Sequence, residues 1–398
     1  MCNAFLENQF VAFHLTHHCN LACPYCYAGA KSRGRMDDET AESAIRFALA
    51  EARDRGVGRL DVIFFGGEPL LELDLLCRIC DRFAEAASGV EVSFSLSTNG
   101  VLLTPEVIER LAGRRIYVSL SLDGPPEVHD RQRPFPGGRG SSAALAEAAP
   151  RLLRWNPCAE ARCVITPSSA NVADRSVRWI AGMGFAYIST ALDYSADWNR
   201  ESLGEFEASL RRLADWYCAR TEAGDPLYVS CFDERIRTRT DEPLRGCDRC
   251  GVGLRQYSIA PSGRLYPCVQ FVGEDAPGEF VIGDIRNGFD EAARVSVYNR
   301  ALAAKPECAG CAVADRCASW CACTNFAATG GIDRVGPLVC EVERIVLPIA
   351  DDIGNRLWRR RARTFVHKFY NPAFPVFNWA ENTIMEEVDH ESTDEPRR

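Results

Sequence analysis

Between residues 10 and 190, short runs of β-branched and aromatic residues alternate with longer stretches in which apolar side chains return every three or four positions. The runs predict strands at 10–16, 60–65, 91–97, 116–122, 161–166 and 186–190, and the stretches predict helices at 37–55, 72–87, 105–112, 141–154 and 172–182. Consecutive parallel strands need a crossover, and a helix is the usual one, so strict alternation predicts a parallel sheet. Six such units predict an α/β fold, a partial (β/α)6 TIM-like barrel. Two predicted strand ends are alike: Ser95 to Gly100 and Ser119 to Gly124 both set small polar residues where strand becomes loop. In βα folds that edge of the sheet is where ligands bind.

Beyond residue 200 the pattern changes. A helix is predicted at 203–222, and from Cys247 to Cys340 cysteine, glycine and proline replace periodic hydrophobicity, as in small domains held by metal rather than by a core. A further helix at 341–362, an aromatic stretch (Phe365, Phe369, Tyr370, Phe374, Phe377, Trp379) and an acidic tail from Glu386 close the chain. The aromatics are expected to pack back onto the body and the tail to be disordered. At 398 residues the chain exceeds one ordinary core. The expected division is a barrel at 1–200, a helical linker at 201–246, a small cluster-binding domain at 247–342, and a C-terminal helix with its tail at 343–398.

Composition narrows the chemistry. With 46% hydrophobic and 25% charged residues and no long apolar run, a membrane protein is not expected. Glu7, Asn8 and Gln9 interrupt what would be the apolar core of an export signal, so a cytoplasmic protein is expected. In that reducing compartment the 19 cysteines read as metal ligands and core thiols rather than disulfides. A net charge of −9 argues against a nucleic-acid partner. Only Lys31, Lys305 and Lys368 are lysines, a bias given no functional weight.

Directly after the first predicted strand stand Cys19, Cys23 and Cys26, separated by three and then two residues. A 4Fe-4S cluster needs a ligand on each iron, so three cysteines leave one iron open to an external ligand. A zinc loop is the competing reading of the spacing alone. The spacing, the aromatic Tyr25 before the third cysteine and the place after strand one resemble the radical S-adenosylmethionine (SAM) superfamily. That resemblance implies that SAM chelates the open iron and is cleaved reductively to a 5′-deoxyadenosyl radical, which abstracts hydrogen from a substrate. Gly66, Gly67, Glu68 and Pro69 resemble the superfamily's GGEP motif, which binds the SAM ammonium. Ser97, Asn99 and Ser121 match its ribose-contacting positions, and Arg133 matches an arginine able to pair with the SAM carboxylate.

The later cysteines resemble the SPASM extension, named for members maturing subtilosin, pyrroloquinoline quinone, anaerobic sulfatases and mycofactocin. Cys250, Gly263 and Cys268, then Cys308, Cys311, Cys317, Cys321 and Cys340, follow its order and spacing. The resemblance implies three 4Fe-4S clusters, one binding SAM and two auxiliary. The outer auxiliary cluster would take Cys308, Cys311, Cys317 and Cys340, and the inner one Cys250, Cys268 and Cys321. No cysteine stands between 251 and 267 for the inner cluster's fourth ligand. Cys247 is the first substitute, with Cys323 or an open iron as alternatives. Cys77 and Cys80 lie on a helical pattern and read as core thiols.

By resemblance this is a radical SAM oxidoreductase of the peptide-maturase kind, acting on a peptide or protein substrate. A reductant such as flavodoxin or ferredoxin would supply the electron, and a separate leader-binding protein is a possible partner because strand one begins near residue 10. Sulfatase-maturing members place an aspartate base after the cysteine matching Cys268, where this chain has Val269, which cannot accept a proton. That demotes, without removing, a formylglycine-generating enzyme. A non-catalytic iron-sulfur electron carrier is the third reading. The catalytic base is not identified; Asp193 and Asp233 are candidates that read equally as a loop residue and a cap.

Overall fold

The computed structural model describes residues 8–87, 89–240 and 251–370. In chain order the elements are β1 (Asn8–Thr16), α1 (Asp38–Asp54), β2 (Arg59–Gly66), α2 (Leu73–Ala86), β3 (Glu91–Thr98), α3 (Pro105–Ala112), β4 (Tyr117–Ser121), α4 (Pro126–Gln132) and α5 (Ser142–Trp155). There follow β5 (Glu160–Ile165), α6 (Ala173–Gly182), β6 (Tyr187–Leu192), α7 (Arg200–Ala223), β7 (Tyr228–Val229) and α8 (Ser230–Thr240). The remainder forms β8 (Gln256–Ile259), β9 (Arg264–Tyr266), β10 (Gly283–Asp284), β11 (Gly288–Phe289), α9 (Glu291–Leu302), α10 (Ala322–Thr329), α11 (Pro337–Arg359) and α12 (Arg363–Tyr370).

The contacts group these elements into two compact units interleaved in sequence. The first comprises 1–119, 133–139 and 244–339, and the second 120–132, 140–243 and 340–398. In the first unit β1, β2 and β3 are parallel, with Val11 opposite Val62 and Val62 opposite Phe94. Strand β2 buries alternate residues, Leu60, Val62 and Phe64. Helix α1 returns the chain with Ala41, Ala44, Ile45, Ala48, Leu49 and Ala52 buried at helical spacing, and Asp37 caps it by accepting from the Thr40 N–H at 2.8 Å. On its other edge β1 pairs in parallel with β8, so the cysteine-rich segment extends the same sheet through the antiparallel strands β9, β10 and β11. In the second unit β5, β6 and β7 are parallel.

All six predicted strands and all seven predicted helices are present with small shifts at their ends. The cysteine-rich segment is more regular than expected, because strands of two to four residues are too short to show alternation. Phe365 and Phe369 are buried on α12, as expected of aromatics packing back, but Tyr370 at its end is 48% exposed, contrary to that expectation. Phe374, Phe377, Trp379 and the tail from Glu386 lie outside the described residues, as do Cys2, Cys247 and Cys250. Among the described residues no helix is long and apolar enough to cross a membrane.

Candidate active site

Cys19, Cys23 and Cys26 lie on the loop leaving β1, all half-buried, whereas Cys77, Cys80, Cys158, Cys163, Cys218 and Cys231 are buried. The Cys26 N–H donates to the Cys23 carbonyl at 3.2 Å, closing a tight turn across the two residues between them. Several donors are aimed at the sulfurs. The Leu21 N–H is 3.4 Å from Cys19 Sγ, Asn99 Nδ2 is 3.8 Å from the same atom, and Lys31 Nζ is 2.8 Å from Cys26 Sγ. Burial pushes the Cys19 thiol up, opposed by the Leu21 hydrogen bond. Burial alone would push Lys31 down, but the Cys26 sulfur raises it, so it stays an ammonium. Among the described residues no three His, Cys, Asp or Glu side chains converge on a single metal ion. The donor set still fits an iron-sulfur cluster, since cysteine sulfurs with hydrogen-bond donors aimed at them suit such a cluster.

The Gly-Gly-Glu segment ends β2 against this loop. A Cβ on Gly67 would lie 2.1 Å from the His18 carbonyl oxygen, and one on Gly66, whose φ is +125°, would lie 2.3 Å from that of Thr16. Both glycines are therefore needed for the backbone to approach the start of the cysteine loop, where Gly67 N–H donates to Thr16 and Glu68 N–H to His18. Glu68 is 1% exposed. Its Oε1 accepts from Thr98 Oγ1 at 2.7 Å and the Leu70 N–H at 3.1 Å, and its Oε2 from the Asn99 N–H at 2.8 Å. Burial pushes the Glu68 carboxyl above its ordinary pKa despite these bonds. A carboxylate offers about four lone-pair sites, so one remains, on Oε2, for a cation.

Asn99 spends its side chain on the loop, donating to Asn20 Oδ1 at 2.7 Å. Ser97 is half-buried on β3, and Ser121, at the end of β4, belongs to the second unit. Arg133 is 7% exposed, not a solvated surface arginine, and its guanidinium lies 5.3 Å from the centre of the Tyr25 ring. The next residue, Pro134, accepts the Ala22 N–H at 2.8 Å, a second tie to the cysteine loop. The cysteine-rich segment touches this loop as well. Glu274 Oε1 accepts the Ala30 N–H at 3.1 Å, and Asp275, which accepts from Ser262 Oγ and Tyr266 Oη, stands 3.8 Å from His17 Nε2.

Lys31 and the Glu274–Asp275 pair were not anticipated. A lysine five residues beyond Cys26 was a usable signal for the first, but nothing in the sequence ties residue 274 to residue 30. Both base candidates are engaged within the protein. Asp233 is fully buried, paired with Lys368 and accepting from Tyr217 Oη, while Asp193 folds onto Ser195 in a local turn.

In the cysteine-rich segment Cys308 and Cys311 form a second tight turn, with Gly310 between them at φ +70°. Cys317 is buried, and Cys340 belongs to the second unit. Cys268 Sγ lies 3.1 Å from Cys323 Sγ, and hydrogen bonding from Cys323 lowers the Cys321 thiol to about 6.

Comparison with known proteins agrees with this geometry. Residues 13–153 match the model of the radical SAM superfamily. The chain is 26% identical to the cysteine-type anaerobic sulfatase-maturating enzyme of Clostridium perfringens over 272 residues, 64% of this chain and 72% of that one. It is likewise 26% identical to the PqqA peptide cyclase of Xanthomonas oryzae over 353 residues, 83% of this chain and 87% of that one. Residues 13–153 are thus a radical SAM domain. Among solved structures, native anSMEcpe with bound AdoMet and Cp18Cys peptide superposes with a TM-score of 0.74 at 20% identity, covering 88% of this chain and all of that one. At that identity the likeness shows the fold alone, a mixed α/β fold with a parallel sheet. The radical SAM domain implies SAM and a 4Fe-4S cluster as cofactors, and the relatives matched include peptide-modifying and sulfatase-maturing enzymes.

Proposed function

We propose that this radical SAM protein oxidatively modifies a peptide or protein substrate in the cytoplasm. The observation that carries the reading is the single constellation formed in the first unit by the half-buried cysteines 19, 23 and 26, Lys31, Glu68 and Arg133, with the cysteine-rich segment docked on the same loop. Cys19, Cys23 and Cys26 would hold the SAM-binding cluster, and when bound the cluster and SAM supply a radical that abstracts hydrogen. The chain's own groups position and shield. Lys31 donates to the Cys26 sulfur, Glu68 offers its remaining lone pair to the SAM ammonium, and Arg133, held over Tyr25, presents a planar fork to the SAM carboxylate. Gly66 and Gly67 let this wall close on the loop, Ser97 and Asn99 are candidates for ribose contact at the end of β3, and Ser121 is a candidate by resemblance alone. Cys308, Cys311, Cys317 and Cys340, and Cys250, Cys268 and Cys321, would hold two auxiliary clusters, which offer a route for the electron released by the substrate. The domain division at 200, 246 and 342 is part of the same reading.

A peptidyl substrate follows from the relatives, one of which is a peptide cyclase. The likeness to anSMEcpe favours a second reading, formylglycine formation. Val269, in the single 3-10 turn after Cys268, offers no acceptor for the substrate proton. The test is to incubate reduced, reconstituted enzyme and SAM with cysteine- and serine-containing sulfatase-motif peptides and follow products by mass spectrometry. Formation of 5′-deoxyadenosine without aldehyde supports a maturase of another peptide. Efficient aldehyde formation restores the sulfatase-maturing reading, and no SAM cleavage at all would leave only an electron carrier.

A further inference from the structure

The inner auxiliary cluster lacks an obvious fourth ligand, and the structure puts a thiol beside the ligands already assigned. Cys323 is 6% exposed, in the first turn of α10, two residues after Cys321. Its sulfur is 3.1 Å from that of Cys268, which is 55 positions away in sequence, and hydrogen-bonds to Cys321 as well. Two cysteines assigned to one cluster thus meet at a third thiol that no spacing pattern includes. Core packing alone does not require one thiol to contact two others.

The surrounding backbone holds the arrangement. Cys321 immediately precedes α10, and the Asn325 N–H donates to its carbonyl at 3.0 Å. Asn325 itself is fully buried, and its Nδ2 reaches back to the Ser319 carbonyl at 2.8 Å, which fixes the loop carrying Cys321 and Cys323. Thr324 Oγ1 donates to Cys321 Sγ at 3.2 Å. Cys321 and Cys323 thus stand together at the N-terminal end of α10.

Resting on the reading that this segment carries auxiliary clusters, we propose that Cys323 is a ligand of the inner one beside Cys268 and Cys321. The alternative use of so short a sulfur contact is a Cys268–Cys323 disulfide.

The test uses the full chain with Cys19, Cys23 and Cys26 replaced by Ala, so that remaining iron reports the auxiliary clusters alone, about eight atoms for two of them. In that background Cys323→Ala should lower iron to about four or leave a three-iron cluster with its own EPR signal and an altered Mössbauer spectrum. Cys323→Ser preserves shape and offers oxygen to iron, so it should keep more iron than Cys323→Ala while altering the spectrum; it guards against a variant that merely fails to fold. Full iron and an unaltered spectrum in both Cys323 variants would overturn the assignment and leave the auxiliary clusters standing. A triple-cysteine background without iron, with zinc in its place, or with a Cys268–Cys323 crosslink found by peptide mapping, would overturn the clusters and the assignment together.

Discussion

Glu68→Gln separates two jobs of one carboxylate, the anchor seen in the structure and the proposed contact with the SAM ammonium. The side chain ties the end of β2 to the end of β3 through three accepted hydrogen bonds, and one lone-pair site on Oε2 remains. Glutamine keeps the shape and one acceptor. Its oxygen can retain Thr98 and Leu70, but its amide nitrogen then faces the Asn99 N–H, a donor against a donor. Leaving a buried N–H without an acceptor costs about 1–3 kcal/mol. Removing a buried charge returns part of that, since burial outweighs the hydrogen bonds in setting the Glu68 acid constant. The net loss of stability should therefore fall toward the lower end of that range, and Glu68→Ala, which strands three donors, should lose more. SAM affinity should fall further, because the substituted position is the one left for the ammonium. A charge-assisted hydrogen bond of about 1.5–3 kcal/mol corresponds to a Kd raised roughly 10- to 150-fold. Anaerobic urea denaturation and equilibrium SAM binding to reconstituted protein of matched iron content measure the two effects. A glutamine variant with wild-type SAM affinity would refute the role of the free lone pair, and an alanine variant with a wild-type midpoint would refute the three-bond anchor.

Three further outcomes are expected. Replacing Cys19, Cys23 and Cys26 together by Ala should remove about four irons and abolish 5′-deoxyadenosine formation, as iron analysis and chromatography would show. Lys31→Met removes the donor 2.8 Å from Cys26 Sγ and should lower the reduction potential of the SAM-binding cluster, read by EPR-monitored redox titration; an unchanged potential would mean that the contact is structural only. Asp174 is held below the usual carboxylate value: burial opposes this, but hydrogen bonds from Arg212 and Ser209 outweigh it. Its stabilisation is therefore complete above pH 3.8 and lost as pH falls through its lower folded value, so Asp174→Asn should flatten the acid limb of stability against pH.

The first half of the molecule was legible because its signals are local and long. A strand such as β2 alternates over eight residues and α1 repeats its buried face over 17, enough for periodicity to rise above noise. The cysteine loop was legible because thiol spacing is itself the chemistry. The cysteine-rich segment was not, since its strands are two to four residues long and are stabilised by pairing with β1 and with one another rather than by any pattern of their own. The same physics hid the roles of Glu68 and Arg133. A motif names a carboxylate and a guanidinium, but only packing shows that the first is already three-quarters occupied within the protein and that the second is buried against Tyr25.

That occupancy bears on how the site is built. Glu68 and Asn99 hold each other through the backbone, Asn99 holds Asn20 and lies near Cys19, and the glycines before Glu68 press on His18 and Thr16. The cysteine loop is thus braced from β2 and β3, through the residues that sequence reading assigned to SAM. A group that both braces the loop and meets the ligand couples the two: displacing Glu68 to suit another ligand would disturb the thiols as well. On the function proposed above, specificity for SAM and placement of the cluster would be a single structural property, carried by the ends of β2 and β3 rather than by the loop itself.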